Sequence, residues 1–345
     1  MAGNEAVERN NKGIRLAAEG RDAAAEREYI AALDAARSDD LSRAKIANNL
    51  AVLYQRQDRY RDAERMFRAA LQWRQKKLPA TSTEVAYSLN NLAEVYGIQG
   101  RHWEARNLME SAARNLQEFH DGAPGLPIVL GNLALELCRF DQLDRATELS
   151  RSALSLYRRR GEIRGTGYGF ALTTLGLVLV VKNDLEAAAP LYQEAIDIFQ
   201  RMGAKAGPGL AGALAASGEL YRRMQRIEEA RQAEQRALDL LPPNGNALLR
   251  VQILRSLGNL VATAGNAADS LPYFEQSLVI QERTAGADYP TTAGLLLDYA
   301  SATERAGKKS LSRKLHKRAM DLLARLGNQS TNQMTVSLRD LRNGK

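Results

Sequence analysis

The stretch Leu89-Asn90-Asn91-Leu92-Ala93-Glu94-Val95-Tyr96 decides the fold of this chain. A close copy, Ala47-Asn48-Asn49-Leu50-Ala51-Val52-Leu53-Tyr54, lies 42 residues earlier. The same register gives eight units, each anchored on a small residue: Gly13, Ala51, Ala93, Ala134, Gly176, Gly218, Gly258 and Ala300. The anchors are separated by 38, 42, 41, 42, 42, 40 and 42 residues, and this regularity indicates a protein built from repeats.

Two further columns of small residues test this register. Twelve residues after the anchors stand Ala25, Ala63, Ala105, Ala146, Ala188, Ala230, Ser270 and Ser312. Seven residues further on stand Ala32, Ala70, Ala112, Ala153, Ala195, Ala237, Ser277 and Ala319. Helices approach to about 8 Å only where the side chains at their crossing are small. The pattern therefore predicts a first helix that carries the anchor and a second helix that carries the other two columns.

Glycine, proline and short polar residues punctuate the units. Tight turns between the two helices are predicted at Asp58, Gly100, Asp141, Asn183, Gly265 and Gly307. The glycine-rich runs 165–169 and 203–212 are predicted to be linkers between units. The first run is not a phosphate-binding loop, because a helix and not a strand is predicted before it.

The combination of small residues, Tyr or Leu, and Leu-Asn-Asn-Leu-Ala-x-x-Tyr resembles the tetratricopeptide repeat, in its kinesin-light-chain-like form. The 42-residue step exceeds the family's usual 34 or so and implies longer helices. The resemblance implies an all-α superhelical solenoid of about eight helix-turn-helix repeats plus a C-terminal capping helix. A single solenoid over residues 1–345 is expected. Its repeats are expected at 5–37, 42–78, 83–120, 126–160, 167–202, 208–241, 247–284 and 290–326, with the capping helix at 330–342.

Nothing in the sequence indicates catalysis or a bound cofactor. The three histidines, His102, His120 and His316, lie in different units, and none is spaced to form a zinc site with another histidine or with Cys138. His316 is expected to pack half-buried in the last unit, and Cys138 to act as a small apolar residue. We therefore expect a protein that is not an enzyme and has no metal or cofactor.

Charge and hydropathy limit the kinds of partner that are expected for this protein. The net charge of +8, from 48 basic and 40 acidic residues, is spread along the chain. This favours a solvated helical surface over a nucleic-acid site, although the runs 158–160 and 308–318 are basic. No apolar run reaches the roughly 18 residues that span a bilayer, and no signal segment opens the chain. A cytoplasmic protein without a membrane partner is expected, as a monomer or weak homo-oligomer.

The resemblance places the first helices along a concave groove, where a protein or peptide is expected to bind. Residues two before the anchors should point into the groove, and we select Asn11, Asn49, Asn91, Asn132, Thr174 and Ser256. Neighbouring candidates are Asn48, Asn90, Leu135, Phe170, Leu177, Arg222 and Arg255. The groove should thus run from polar through apolar to basic.

The asparagines are the most distinctive part of this set. An asparagine side chain donates and accepts hydrogen bonds, so a row of them can satisfy the backbone of an extended peptide. The alternative is that asparagine is merely tolerated on a polar face. A regulatory sensor that binds a signalling peptide or small ligand is the second functional hypothesis, and nucleic-acid binding is the third.

Overall fold

The computed structural model describes residues 2–117, 123–242, 246–284 and 290–342, which form sixteen α-helices. The first eight are α1 Ala2–Ala18, α2 Asp22–Ala35, α3 Asp40–Arg56, α4 Tyr60–Lys77, α5 Thr83–Ile98, α6 His102–Gln117, α7 Leu126–Arg139 and α8 Leu143–Arg159. The others are α9 Thr166–Val181, α10 Leu185–Met202, α11 Gly207–Arg223, α12 Ile227–Leu240, α13 Ala247–Thr263, α14 Ala267–Thr284, α15 Pro290–Arg305 and α16 Lys309–Arg342. Strands are absent from these ranges, and the all-α superhelix predicted from the sequence is confirmed.

Close helix packing at the small residues explains the repeat. All 24 positions of the three columns are buried, and Ala25, Ala63, Ala105 and Ala146 have no exposed surface. Where the anchor is glycine, a large side chain of the second helix occupies the space above it. A Cβ atom added at Gly176 would lie only 2.6 Å from the Tyr192 ring. The anchors are small because the second helix lies directly against them.

Each helix pair is joined by one residue with a left-handed backbone. The turns predicted at Asp58, Gly100, Asp141, Asn183, Gly265 and Gly307 all have positive φ, between 56° and 94°. The two remaining pairs turn at Gly20 and Gln225, with φ of 75° and 60°. Gln225 could not be predicted, because glutamine has no particular preference for this conformation.

Arginines at the start of the second helices tie neighbouring units together. The Arg59 guanidinium lies 4.1 Å from the Tyr54 ring centroid and forms a 2.9 Å ion pair with Glu26 of the preceding unit. Arg101 repeats this arrangement with the Tyr96 ring at 3.5 Å and Glu64 at 2.9 Å. A cation held over an aromatic face contributes about 0.5–1 kcal/mol at exposed sites.

Two features differ from the sequence-based expectations. The glycine-rich runs are largely helical, since α9 begins at Thr166 and α11 at Gly207, after a 3-10 turn at Gly203–Ala206. Their glycines admit large neighbours: a Cβ atom at Gly169 would lie 2.7 Å from the Phe199 ring. At the other end, residues 330–342 are helical but continue α16, so they do not form a separate capping helix. No proline interrupts α16 to separate the two.

The remaining sequence expectations concern single residues and the membrane. His316 is exposed, so the half-buried packing role was wrong. Cys138 is partly buried, and His120 lies outside the described residues. Within the ranges given above, no helix is long and apolar enough to cross a bilayer.

Candidate functional site

The first helices of the pairs form a layer of their own. We call α1, α3, α5, α7, α9, α11, α13 and α15 the first-helix layer; α5 to α15 contact each other in that order. All of the site residues selected from the sequence lie on helices of this layer, from α1 to α13. The layer is therefore the surface on which the candidate site is built.

The asparagines of this layer bind one another. Asn49 donates to Asn10 across 3.0 Å, which joins α3 to α1. Asn91 donates to Asn48 at 2.9 Å, and this bond joins α5 to α3. The second asparagine of one unit thus holds the first asparagine of the unit before it. The side-chain oxygens of Asn49 and Asn91 accept no hydrogen bond from the described residues.

We call this row of hydrogen-bonded asparagines the asparagine ladder. Its third link, at Asn132, involves more hydrogen bonds than the first two. Asn132 on α7 donates to Asn90 at 3.2 Å and to the Glu94 carboxylate at 2.6 Å. Asn90 also donates to Glu94, at 2.9 Å, and only 5% of Asn90 is exposed. The asparagines are therefore not simply a row of free side chains facing a ligand, because their amides first satisfy each other. Asn11 is exposed and takes no part; Asn10 occupies its place.

Glu94 is the acceptor shared by the last hydrogen bonds of the asparagine network. Its carboxylate accepts hydrogen bonds from three amides, those of Asn90, Asn132 and Gln55. Removal from water raises the pKa of the Glu94 carboxyl, and the three amides offset only part of that rise. Glu94 is thus a partly buried acid whose hydrogen-bond partners are all neutral.

An exposed apolar patch follows in the middle of the layer, on α7 and α9. We call Ile128, Leu135, Phe170, Leu177 and Val181 the apolar patch. Ile128 is 51% exposed, Phe170 52% and Val181 43%, whereas Leu135 and Leu177 are partly buried. The Phe170 ring rests edge-on against the buried Phe199 ring, with 5.2 Å between centroids. Large apolar side chains are therefore presented to solvent on a rigid support.

The third part of the layer is less basic than the sequence suggested. Arg222 and Arg223 both bind the Glu219 carboxylate, at 2.7 and 2.9 Å. Burial alone would raise the pKa of Glu219, but the hydrogen bonds and charges of the two arginines outweigh burial and lower it. Arg255 forms a 2.6 Å ion pair with Asp298. The expected basic end is corrected to a set of paired charges.

Ser256 and Thr174, two residues that were predicted to face the groove, also lie against other residues of the layer or the core. Ser256 lies close enough to the carboxyl of Glu234 on α12, a residue that is only 3% exposed, for hydrogen bonding to lower the pKa of that carboxyl. Thr174 lies 3.9 Å from the position of a Cβ atom on Gly131, so it faces the neighbouring first helix. Ser256 is thus engaged with the core and is not a free groove hydroxyl.

A metal site does not appear in the part of the chain that the structure describes. No group of three His, Cys, Asp or Glu side chains there is close enough to hold an ion. His102 is bound to the Glu136 carboxylate, with Nδ1 and Oε2 3.0 Å apart. Burial raises the pKa of the Cys138 thiol, which is partly buried.

Comparison with known proteins gives a family match. The model of the tetratricopeptide repeat matches residues 42–118, 170–242 and 249–325. No curated protein matches the chain significantly.

Solved structures add similarity in fold. A Rap protein complexed with competence and sporulation factor has a TM-score of 0.65 and 13% identity, covering 94% of this chain and 99% of that one. Aspartyl phosphate phosphatase F from Bacillus subtilis has a TM-score of 0.56 and 13% identity, covering 84% and 74%. Kinesin light chain-like repeats from Podosopora anserina have a TM-score of 0.48 and 15% identity, covering 59% and 98%. At these identities the similarity describes the fold alone.

Proposed function

The chain belongs to the tetratricopeptide repeat family, and from that premise we propose that its first-helix layer binds an extended peptide segment without catalysing a reaction. The observation that carries this proposal is the apolar patch. Phe170 and Ile128 are each about half exposed, and they stand at the same position of two consecutive units, six residues before the anchors Gly176 and Ala134. Large apolar side chains grouped on a rigid surface are typical of interaction sites.

The patch supplies binding energy. Burying a Phe, Ile, Val or Leu side chain fully contributes roughly 1.5–3 kcal/mol. Phe170 and Ile128 are already half covered, so each contributes about half of that on binding. A ligand with one or two large apolar side chains therefore gains enough to offset part of the entropy lost on association.

The asparagine ladder supplies backbone contacts beside the patch. Asn49 and Asn91 each use an amide hydrogen within the ladder, which leaves their side-chain oxygens as acceptors. An extended peptide presents backbone N–H groups that such oxygens can accept, whatever the peptide sequence. In this proposal the ladder fixes the backbone, and the apolar patch selects the side chains.

Three arginines of the two basic runs that suggested nucleic acid are bound within the protein. Arg158 donates to the Tyr168 hydroxyl at 3.0 Å, and Arg160 donates to the carbonyl oxygens of Ala123 and Pro124, both at 3.2 Å. Arg318 is paired with Glu282. Side chains engaged in this way would lose those bonds on contacting phosphate, which favours the peptide proposal.

A random heptapeptide library displayed on phage tests the proposal. Enriched sequences are synthesised with a fluorescein label, and their affinities are measured by fluorescence anisotropy. Phe170→Ala and Ile128→Ala should each weaken binding by about threefold to tenfold, since 1.4 kcal/mol is tenfold. The control is Val279→Ala, because Val279 is 59% exposed on α14, outside the first-helix layer. Equal affinities for all three variants and the wild type would exclude the apolar patch as the binding surface.

A further inference from the structure

Glu94 is an acid of the first-helix layer that is partly buried and whose hydrogen-bond partners are all amides. Its carboxylate is surrounded by amides from three successive first helices: Gln55 on α3, Asn90 on α5 and Asn132 on α7. Among the described residues, no lysine or arginine forms an ion pair with it. Asp298 in the same layer is, by contrast, paired with Arg255 at 2.6 Å.

The repeat provides a matched comparison. Glu94 and Glu219 occupy the same position in their units, one residue after the small anchor. Glu219 is neutralised by Arg222 and Arg223, four and five residues after its anchor. In the unit of Glu94 the same two positions are Gly97 and Ile98. The sequence thus keeps the acid in this unit and lacks the two cations that neutralise it in the other.

Nearby arginines do not replace the missing partners. Arg56 on α3, five residues after its anchor, is bound to the Asp22 carboxylate and to the carbonyl oxygen of Ala17. Arg139 on α7 lies 3.7 Å from Glu136. The charge on Glu94 is therefore countered only by dipoles, which compensate a desolvated carboxylate less well than a cation does.

We propose that Glu94, with Gln55, Asn90 and Asn132, is a subsite for the positively charged side chain of a peptide ligand, an arginine or a lysine. A carboxylate has about four lone-pair positions. Asn90 and Asn132 both donate to Oε1 of Glu94, and Gln55 supplies at most one further bond, so at least one charge-assisted hydrogen bond remains to be made. The inference rests on the proposed function, since it assumes a peptide on the first-helix layer.

The repeat also predicts how far apart a basic and an apolar side chain lie along the peptide ligand. Leu135 and Leu177 of the apolar patch stand at the position of Glu94 in the next two units. Packed helices lie about 8–10 Å apart. An extended chain covers about 3.3 Å per residue. The ligand is thus a peptide with a basic side chain about three residues from a large apolar one.

The library peptides provide the test. Peptides enriched on the wild type should carry arginine or lysine at this spacing from an apolar residue. Each arginine, or a lysine first exchanged for arginine, is then replaced by citrulline, which has nearly the same shape and no charge. Citrulline should weaken binding to the wild type at least tenfold, whereas Glu94→Gln should bind the two peptides within about twofold of each other.

Two controls separate the subsite from other effects. Glu304→Gln removes another negative charge from the layer, on α15, and should leave the preference for arginine unchanged. A preference lost equally in both variants would mean long-range attraction and would overturn the subsite. If Glu94→Gln fails to fold, as shown by its melting curve, the arginine and citrulline peptides on the wild type decide the matter.

The remaining outcomes distinguish this inference from the proposed function. Peptides that need Phe170 but bind equally well with arginine or citrulline would overturn the subsite and leave the apolar patch intact. Enrichment of peptides that contain no basic residue would also overturn the subsite and leave the apolar patch intact. Peptides whose affinity depends on neither Phe170 nor Glu94 would overturn both.

Discussion

The backbone N–H of Ala247, the first residue of α13, donates a hydrogen bond to the Oδ2 atom of Asp58, 189 residues earlier, across 3.3 Å. Asp58 also accepts a 2.7 Å hydrogen bond from the Tyr60 hydroxyl. Leu248 packs against the apolar cluster of the first units. Repeats in an open solenoid contact only their neighbours. The contact therefore links the second unit to the seventh and brings distant parts of the superhelix together.

Asp58→Gly should weaken this contact between the second and the seventh unit. Glycine accepts the positive φ of 59° at this turn, so the substitution removes the carboxylate without straining the backbone. Loss of the two hydrogen bonds should destabilise the protein by about 1–3 kcal/mol and increase the radius of gyration. Asp141→Gly is the control, because Asp141 has the same kind of turn, with φ of 56°, and is exposed. Small-angle scattering and melting curves that are identical for the two variants would contradict a closing role.

Asn132→Ala should destabilise the protein, in addition to any effect on binding. Asn132 donates to both Asn90 and Glu94, so alanine leaves the buried Asn90 and the partly buried Glu94 each short of a donor. Such a loss costs about 1–3 kcal/mol. Asn11→Ala should melt like the wild type, since Asn11 is exposed and outside the ladder. A fully solvated ladder would instead leave both melting temperatures unchanged.

The fold could be predicted from the sequence because the same packing requirement recurs in every unit. A small side chain at Ala146 or Ala188 is required wherever two helices cross closely, and the requirement recurs at a fixed spacing. The end of the chain could not be read in the same way. Leu338 and Leu341 match the apolar register of a first helix, yet α16 continues from Lys309 to Arg342 through Gly327, a residue type that often ends a helix.

The site was predictable in its positions but not in its bonding. Asn48, Asn90 and Phe170 lie on the first-helix layer as selected. The pairing of Asn91 with Asn48 depends on how two helices are turned relative to each other, which a single sequence does not specify. The neutral surroundings of Glu94 could have been noticed, because Gly97 and Ile98 replace the arginines found in the unit of Glu219.

Ala146→Leu should destabilise the protein far more than Arg145→Leu. Ala146 has no exposed surface at a helix crossing, and a larger side chain there forces the helices apart, at a cost of roughly 1–3 kcal/mol. The Arg145 side chain is 49% exposed and pairs with Glu110 on the surface, which contributes little. Thermal melting of both variants provides the measurement. A larger loss for Arg145→Leu would contradict the helix assignment.

Glu234 should make the stability of the protein depend on pH. This residue is 3% exposed and lies over Gly218, where other units with a glycine anchor carry Tyr29, Tyr192 and Phe274. Burial, with a smaller contribution from the charge of Glu219, raises the pKa of Glu234 to about 8. Its Oε2 atom accepts no hydrogen bond from the described residues.

The sign of the effect follows from the raised pKa. The folded protein keeps the proton on Glu234 up to about pH 8, whereas the unfolded chain releases it above the ordinary value of 4.5. The unfolded state therefore binds fewer protons between these values, and stability falls as the pH rises from about 4.5 to 8. Each pKa unit corresponds to about 1.4 kcal/mol, so the loss amounts to a few kcal/mol.

Glu234→Gln should remove this dependence, because glutamine remains neutral while it can still accept a hydrogen bond from Ser256. Its melting temperature should equal that of the wild type near pH 5 and exceed it increasingly up to pH 8. Glu228→Gln is the control on the same helix, since ion pairing with Arg231 lowers the pKa of exposed Glu228 to about 2 and its charge stays constant over this range. The melting difference between Glu234→Gln and the wild type, followed from pH 5 to pH 8, is the measurement. A difference that does not change with pH would mean that Glu234 is already ionised in the folded protein at pH 5.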